Sequence, residues 1–377
     1  MPRVALVQFA PLSPSPLSHN PDSSASWQLN LERAHDFARQ AALQGAELVC
    51  FPEYFLSGVV DHPSSWHLAQ APHTHAHLHA PSSPSPSSAE EKRCKDAPAA
   101  PLKTADHWLS TFRDLAKELR VDIAVGTIVE RAVDAETGEE RSKDVEVEGE
   151  GEGGTRVEKR PVLENVAHYI DWNGEVVGRY SKVNLWWPEK EYLTAGTGGH
   201  QVFSTRFGRV AFLICWDLAS PLSLPSLLLD PAGPPDMIIA PTYWTALDAG
   251  ARGLAHNPRS EEEYLGALVK TRAWEGECAV LFVNAGAPAS WQPHDPVGNE
   301  EGRIGGTGAY VPFKGCIGGA KGAQEELVLV DVDLSILSDA RAVYGVRRDL
   351  AHKLDDPQTR REEVLPGWVR RVEGEAK

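Results

Sequence analysis

Six short runs along the chain are apolar almost from end to end: RVALVQF, AELVCF, DIAVGTIVE, VAFLIC, DMIIA and AVLFVNA. A strand with one wet face alternates polar and apolar residues. These runs do not, so several read as strands buried on both faces. Helix-like segments lie between them. Residues 27–44 are amphipathic and stop at Gly45, and residues 106–119 suggest a second helix. A third lies between DMIIA and AVLFVNA. There Ser260 and Glu263 have the spacing of a capping box, and Gly276 suits a C-terminal stop. NVAHYIDWNGEVVGRYSK reads as two strands around a turn at Asn173-Gly174, and GTGAYVPF and EELVLVDVDL close the strand series. Strands that alternate with helices but are interrupted by hairpins imply a layered α/β domain, with a mixed sheet or paired sheets covered by helices.

Two segments break this alternation. Residues 61–106 are rich in Pro, Ser, Ala and His, and residues 132–160 are rich in Glu and Gly. Neither has the apolar surface needed to offset its ordering entropy. Both are therefore expected to be flexible surface insertions in one domain covering 1–377, because the same alternation resumes after each. His73, His75, His77 and His79 cluster in the first insertion. In a Pro/Ser-rich loop they read as solvated side chains rather than metal ligands, and no metal site is expected. The acidic stretch at 144–152 reads as a solvated loop.

Lys and Arg number 37 against 53 Asp and Glu, a net charge of -16. That excess argues against a nucleic-acid partner, whose binding rests on neutralised phosphates, and against an anionic membrane surface. Five cysteines without a C-x-x-C pair form neither a disulfide framework nor a zinc ribbon. They read as reduced thiols of a cytoplasmic protein. The N-terminus runs directly into a strand-like segment without a secretory apolar region, and no stretch approaches the roughly 18 apolar residues of a membrane span.

Three stretches place a reactive side chain where an apolar strand gives out. LVCFPEYFLSG carries Glu53, GRYSKVNLWWPEKEYLTAG carries Lys182 with Glu189 and Glu191 beyond it, and VAFLICWDLASP carries Cys215. In α/β sheets, ligands bind beyond the carboxyl ends of strands. Each residue alone has a plainer reading: a solvated loop carboxylate, a surface lysine, a small core thiol. Together they are chemically complementary. A thiol needs a base, a carboxylate in a closed site is one, and an ammonium can hold an oxyanion. Asp217, two residues after Cys215, reads as fixing the turn.

On these three motifs, in this order, the chain resembles the nitrilase, or carbon–nitrogen hydrolase, superfamily. QFAP, APTYW and TRAWEGECAVLFVNAGA are weaker features of the same kind. The resemblance implies a four-layered α-β-β-α sandwich that pairs into a homodimer or a higher homo-oligomer. It implies Cys215 as nucleophile, Glu53 as general base and acid, and Lys182 as the residue that stabilises the tetrahedral intermediate, with the Trp216 N–H in the oxyanion hole. It also implies a second glutamate, Glu189 or alternatively Glu191, and substrate contacts from Tyr54, Trp216, Trp244 and Glu191. No cofactor is implied. The substrate would be a small carboxamide or carbamoyl compound, or alternatively a nitrile. Nitrilases of the family often carry Cys-Trp-Glu where this chain has Cys-Trp-Asp, which favours an amidase. The remaining alternative is a scaffold of this fold that binds without turnover.

Overall fold

The computed structural model describes residues 1–12, 24–60, 105–134, 137–148, 155–292, 299 and 302–355. Its strands are β1 (Arg3–Gln8), β2 (Leu48–Cys50), β3 (Asp122–Arg131), β4 (Ser142–Glu148), β5 (Thr155–Pro161), β6 (Leu163–Ile170), β7 (Val176–Ser181), β8 (Val202–Thr205), β9 (Gly208–Phe212), β10 (Met237–Thr242), β11 (Ala279–Asn284), β12 (Gly308–Val311), β13 (Gly315–Gly319) and β14 (Glu326–Asp331). They form two six-stranded sheets, ordered β14-β1-β2-β3-β6-β7 and β13-β12-β11-β10-β9-β8, and a two-stranded ribbon of β4 and β5. Both large sheets are mixed. β1, β2 and β3 run parallel, as do β9, β10 and β11, and the outer strands pair antiparallel.

The unbroken apolar runs follow from this layering. On β1, Val4 and Leu6 face the other sheet, packing in one core with Phe212, Ile239 and Leu281. Ala5 and Val7 face outward, packing with Leu31, Ala34 and Ala38 of helix Ser24–Leu43 and with Trp108 and Phe112 of helix Ala105–Leu119. The second sheet is covered in turn by helix Ser260–Gly276, whose Leu265, Leu268 and Val269 join the inter-sheet core. Helix, sheet, sheet and helix are thus stacked as the sandwich predicts.

The structure corrects the sequence reading at three places. The helix expected to start with a Ser260 capping box has Arg259 as its N-cap with no side-chain cap bond, and Ser260 Oγ is buried without a partner among the described residues. The first turn instead carries Glu261, Glu262 and Glu263 toward the positive end of the helix. At the other end Glu277, not Gly276, takes the left-handed conformation (φ 46°). Gly276 is needed for space, because a Cβ there would lie 2.7 Å from Cys278 Sγ. Residues 142–148 and 155–161, expected as part of a flexible insertion, pair as an exposed antiparallel ribbon in full register from Ser142–Pro161 to Glu148–Thr155. Backbone pairing holds this ribbon without a core of its own. The segment 61–104, with His73, His75, His77 and His79, lies outside the described residues.

A buried ionic cluster ties the three strands that carry much of the site. Glu130 on β3 bonds His168 on β6 at 2.6 Å and Arg179 on β7 at 2.8 Å. Burial alone would raise the Glu130 pKa, but His168 and Arg179 hold it down at about 2.

Candidate active site

Four chain segments converge where the two sheets meet. Glu53 follows β2, Lys182 follows β7, Cys215 follows β9 and Tyr243 follows β10. Glu53 and Lys182 are each only 1% exposed. Lys182 Nζ donates to Glu53 Oε1 at 3.0 Å and to both oxygens of Glu189 at 2.7 Å. Glu189 is held in turn by the Tyr54 hydroxyl at 2.6 Å and the Trp186 N–H at 2.8 Å. The short turn Pro188–Glu191 brings Glu189 inward and leaves Glu191 exposed. Two residues on a three-per-turn helix point to different sides, so the inner position belongs to Glu189 and not to Glu191. The hydroxyl of Tyr54, a residue expected against substrate, donates to Glu189.

Cys215 is 8% exposed, with φ 47° and ψ −104°. A β-substituted residue in that region is strained by about 1–3 kcal/mol. Its surroundings enforce it. Cys215 N–H bonds Pro241 O at 3.0 Å, and Cys215 O accepts from Leu218 N–H at 2.9 Å. Asp217, fully buried, does fix the turn. Its Oδ2 accepts from Ile214 N–H and the Tyr180 hydroxyl, and its Oδ1 from the N–H and Nδ2 of Asn184. The same carboxylate therefore binds the Cys215 turn to the segment that follows Lys182. Trp216 opens the helical turn Trp216–Ala219, so its N–H has no intrahelical acceptor. Its ring lies 5.6 Å from that of Trp244. Trp244 itself is buried, its Nε1 donating to Glu261 at 2.6 Å. An open cavity of about 520 Å³ adjoins this region, lined by Trp216, Pro221, Leu185, Leu193 and Lys190 among others.

Charge sorts the three reactive groups. Burial pushes the Glu53 pKa up to about 7, against the pull of Lys182. Burial would lower Lys182, but Glu53 and Glu189 together raise it well above its ordinary value, so it stays an ammonium. Burial and the neighbouring Glu53 push the Cys215 thiol well above its ordinary value, and Lys182 only partly offsets them. The site therefore pairs a protonated thiol with a carboxylate that accepts a proton near neutrality. Among the described residues no group of three or more His, Cys, Asp and Glu could hold a metal ion, and no helix is long and apolar enough to cross a membrane.

A family model described as Carbon-nitrogen hydrolase matches residues 3–342. The chain belongs to the carbon–nitrogen hydrolase family. This hydrolase is 31% identical over 123 residues to a probable nitrilase of Schizosaccharomyces pombe; the match covers 33% of this chain and 39% of the relative's length. Its fold is that of a carbon-nitrogen hydrolase from Helicobacter pylori G27 (TM-score 0.60, 16% identity, 92% of this chain and 94% of that one). Saccharomyces cerevisiae Nit3, a member of branch 10 of the nitrilase superfamily, is similar over 91% of this chain and 94% of its own (TM-score 0.56, 18% identity). So is a mutant amidase from Nesterenkonia sp. AN1 carrying the acetamide moiety of fluoroacetamide on its active-site cysteine (TM-score 0.53, 21% identity, 92% and 96% covered).

Two residues of the candidate site escape a reading of the sequence by motif. Asn165 on β6 is fully buried and donates to Glu53 Oε1 at 2.7 Å. Gly126 sits in a bulge of β3, where the register shifts between Ala124 and Thr127. A Cβ on Gly126 would lie 2.2 Å from Pro52 O, and its φ is +66°. Thr127 beside it binds the loop twice, through its N–H to Pro52 O and its Oγ1 from Tyr54 N–H. The bulge is thus the seat of the Glu53 loop, and a glycine inside the strand run DIAVGTIVE is its signal. Gly126→Ala should displace that loop, costing about 2 kcal/mol or more of stability and about 100-fold in hydrolysis. Urea unfolding and initial rates would show both losses.

Proposed function

We propose that this hydrolase is a cysteine amidase that releases ammonia from a small carboxamide or carbamoyl compound through a thioacyl-enzyme. One observation carries the reading: Glu53 and Lys182 are buried and hydrogen-bonded to each other at 3.0 Å, beside the buried Cys215 thiol, and burial favours the protonated form of both Glu53 and Cys215. Glu53 takes the Cys215 proton as the sulfur attacks the carbonyl carbon. The oxyanion is met by Lys182 Nζ and by the Trp216 N–H. Lys182 Nζ makes three donor contacts, one to Glu53 and one to each oxygen of Glu189, so it meets the oxyanion by exchanging one of the two Glu189 contacts for substrate. Collapse breaks the C–N bond, and Glu53 returns the proton to departing ammonia. Water then attacks the thioester as Glu53 accepts its proton. The acid leaves, and Glu53 re-protonates the sulfur. Glu189 holds Lys182, and Tyr54 holds Glu189.

The same set serves nitriles, and the Cys-Trp-Asp sequence at 215–217 supports the amide first. Ammonia release from a panel of carboxamides, carbamoyl amino acids and nitriles tests this. Release from amides or carbamoyl compounds supports the reading, release confined to nitriles replaces it with nitrile hydrolysis, and silence across the panel contradicts it. The pH profile is a separate test. Glu53 works only when ionised, so kcat/KM should fall on the acid side through a limb near pH 7. A limb near 4.5, the ordinary carboxylate value, would contradict a buried base.

The reading extends to a homodimer and to a reducing, cytosolic setting. The unpaired thiols of Cys50, Cys215, Cys278 and Cys316 support the second of these.

A further inference from the structure

We propose that Asn165 is a positioning residue that selects which oxygen of Glu53 receives the thiol proton. The inference rests on Glu53 being the base. A carboxylate oxygen has two lone pairs. Glu53 Oε1 meets two donors, Asn165 Nδ2 at 2.7 Å and Lys182 Nζ at 3.0 Å, so both of its lone pairs are engaged. Oε2 meets one, the Tyr243 N–H at 2.8 Å. The free lone pair is therefore on Oε2, the oxygen bound to the strand end of β10, which also holds Cys215 through Pro241 O. The Cys215 proton goes to Oε2, and its S–H bond electrons stay on sulfur.

The donation from Asn165 has a second consequence. It favours the ionised carboxylate, opposing the burial that raises Glu53. Asn165 also fixes the lysine, since its carbonyl accepts the Lys182 N–H at 2.9 Å. It is fully buried, and its Oδ1 has no hydrogen-bond partner among the described residues. Leaving a buried carbonyl unpaired is unfavourable, and here it accompanies an amide nitrogen aimed at Glu53. No charge need be invoked at this position: an amide donates to the carboxylate and cannot take its proton.

The test compares wild type, Asn165→Leu and Asn165→Ser, with Glu53→Gln as control. Two quantities are followed against pH: amide hydrolysis, and iodoacetamide alkylation of Cys215 resolved from the other thiols by peptide mass spectrometry. Alkylation needs no substrate, so it reads the Glu53–Cys215 pair directly. Losing a hydrogen bond to an ionised group should move the acid limb of Asn165→Leu up by about one pH unit in both assays and slow them about fivefold at pH 7. KM should stay within about twofold. Asn165→Ser retains a hydroxyl donor and should shift less. An acid limb unmoved in both variants overturns the proposal even if the rates fall, because a merely structural role lowers rates without moving the limb. If Asn165→Leu does not fold by urea titration, the direction of the Asn165→Ser shift decides; failure of both to fold makes the residue structural and also overturns it. Were Glu53→Gln to keep the wild-type limb, the assignment of Glu53 as base would fail, and the proposal with it.

Discussion

Lys182→Met should abolish hydrolysis and also destabilise the protein by roughly 3–5 kcal/mol, the cost of leaving a buried charge without its partner. Lys182 is 1% exposed and is bonded to two carboxylates, Glu53 and Glu189, which are themselves buried. Methionine fills a similar volume, so packing is nearly conserved and the loss is electrostatic. Without the ammonium, Glu53, already raised to about 7 by burial, is pushed higher still. The sign of the pH dependence follows. A carboxyl whose folded pKa lies above its unfolded value contributes stability that is present at low pH and is lost as pH rises. The deficit of Lys182→Met relative to wild type should therefore be largest near pH 8 and should shrink toward pH 5. Urea midpoints at the two pH values measure it. A variant as stable as wild type at pH 8 would mean that the two carboxylates find other partners.

Glu53→Gln should lower kcat by about 10²–10⁴-fold with the fold intact. The amide is isosteric with the carboxylate but cannot take the thiol proton. It also fits imperfectly, because both oxygens of Glu53 accept hydrogen bonds. Asn165 and Lys182 donate to one and the Tyr243 N–H to the other. An amide oriented to keep the first pair turns its NH₂ against the Tyr243 N–H, which costs about 1–3 kcal/mol. Lys182 keeps Glu189 as counter-ion, so this variant should unfold much closer to wild type than Lys182→Met does. Steady-state kinetics and urea titration on the two variants separate loss of the base from loss of the charge balance. Activity within tenfold of wild type would remove Glu53 from the proton-transfer role.

Legibility in the sequence divides along a physical line. Features set by local chain chemistry could be read in advance. Runs apolar on both faces announced strands between two layers, and the Asn173-Gly174 turn appears between β6 and β7 with Gly174 at φ 77°. Glu53, Lys182 and Cys215 each stand just past a strand, where their motifs put them. Features set by partners far along the chain could not be read. Asn165 reaches Glu53 across 112 residues, and Tyr54 reaches Glu189 across 135. Nothing in NVAHYI distinguishes a buried amide aimed at a carboxylate from one exposed on a strand edge. The resemblance ranked Glu189 ahead of Glu191, and the turn after Trp187 buries the first and leaves the second exposed. Ser260 and Glu263 had the spacing of a cap, yet the helix begins one residue away from the register that spacing needs. That is the usual margin of error at helix ends.

The most direct test of the account is Cys215→Ala assayed for ammonia release beside wild type, on whichever amide the wild type turns over, with urea unfolding of both and intact mass after mixing with substrate. The account predicts no detectable turnover and no acyl adduct in Cys215→Ala. Stability should stay close to that of wild type, because alanine carries the same Cβ at φ 47° and leaves Glu53 and Lys182 paired. Retained hydrolysis in Cys215→Ala, at any rate above the uncatalysed one, would contradict a thioacyl mechanism at this site.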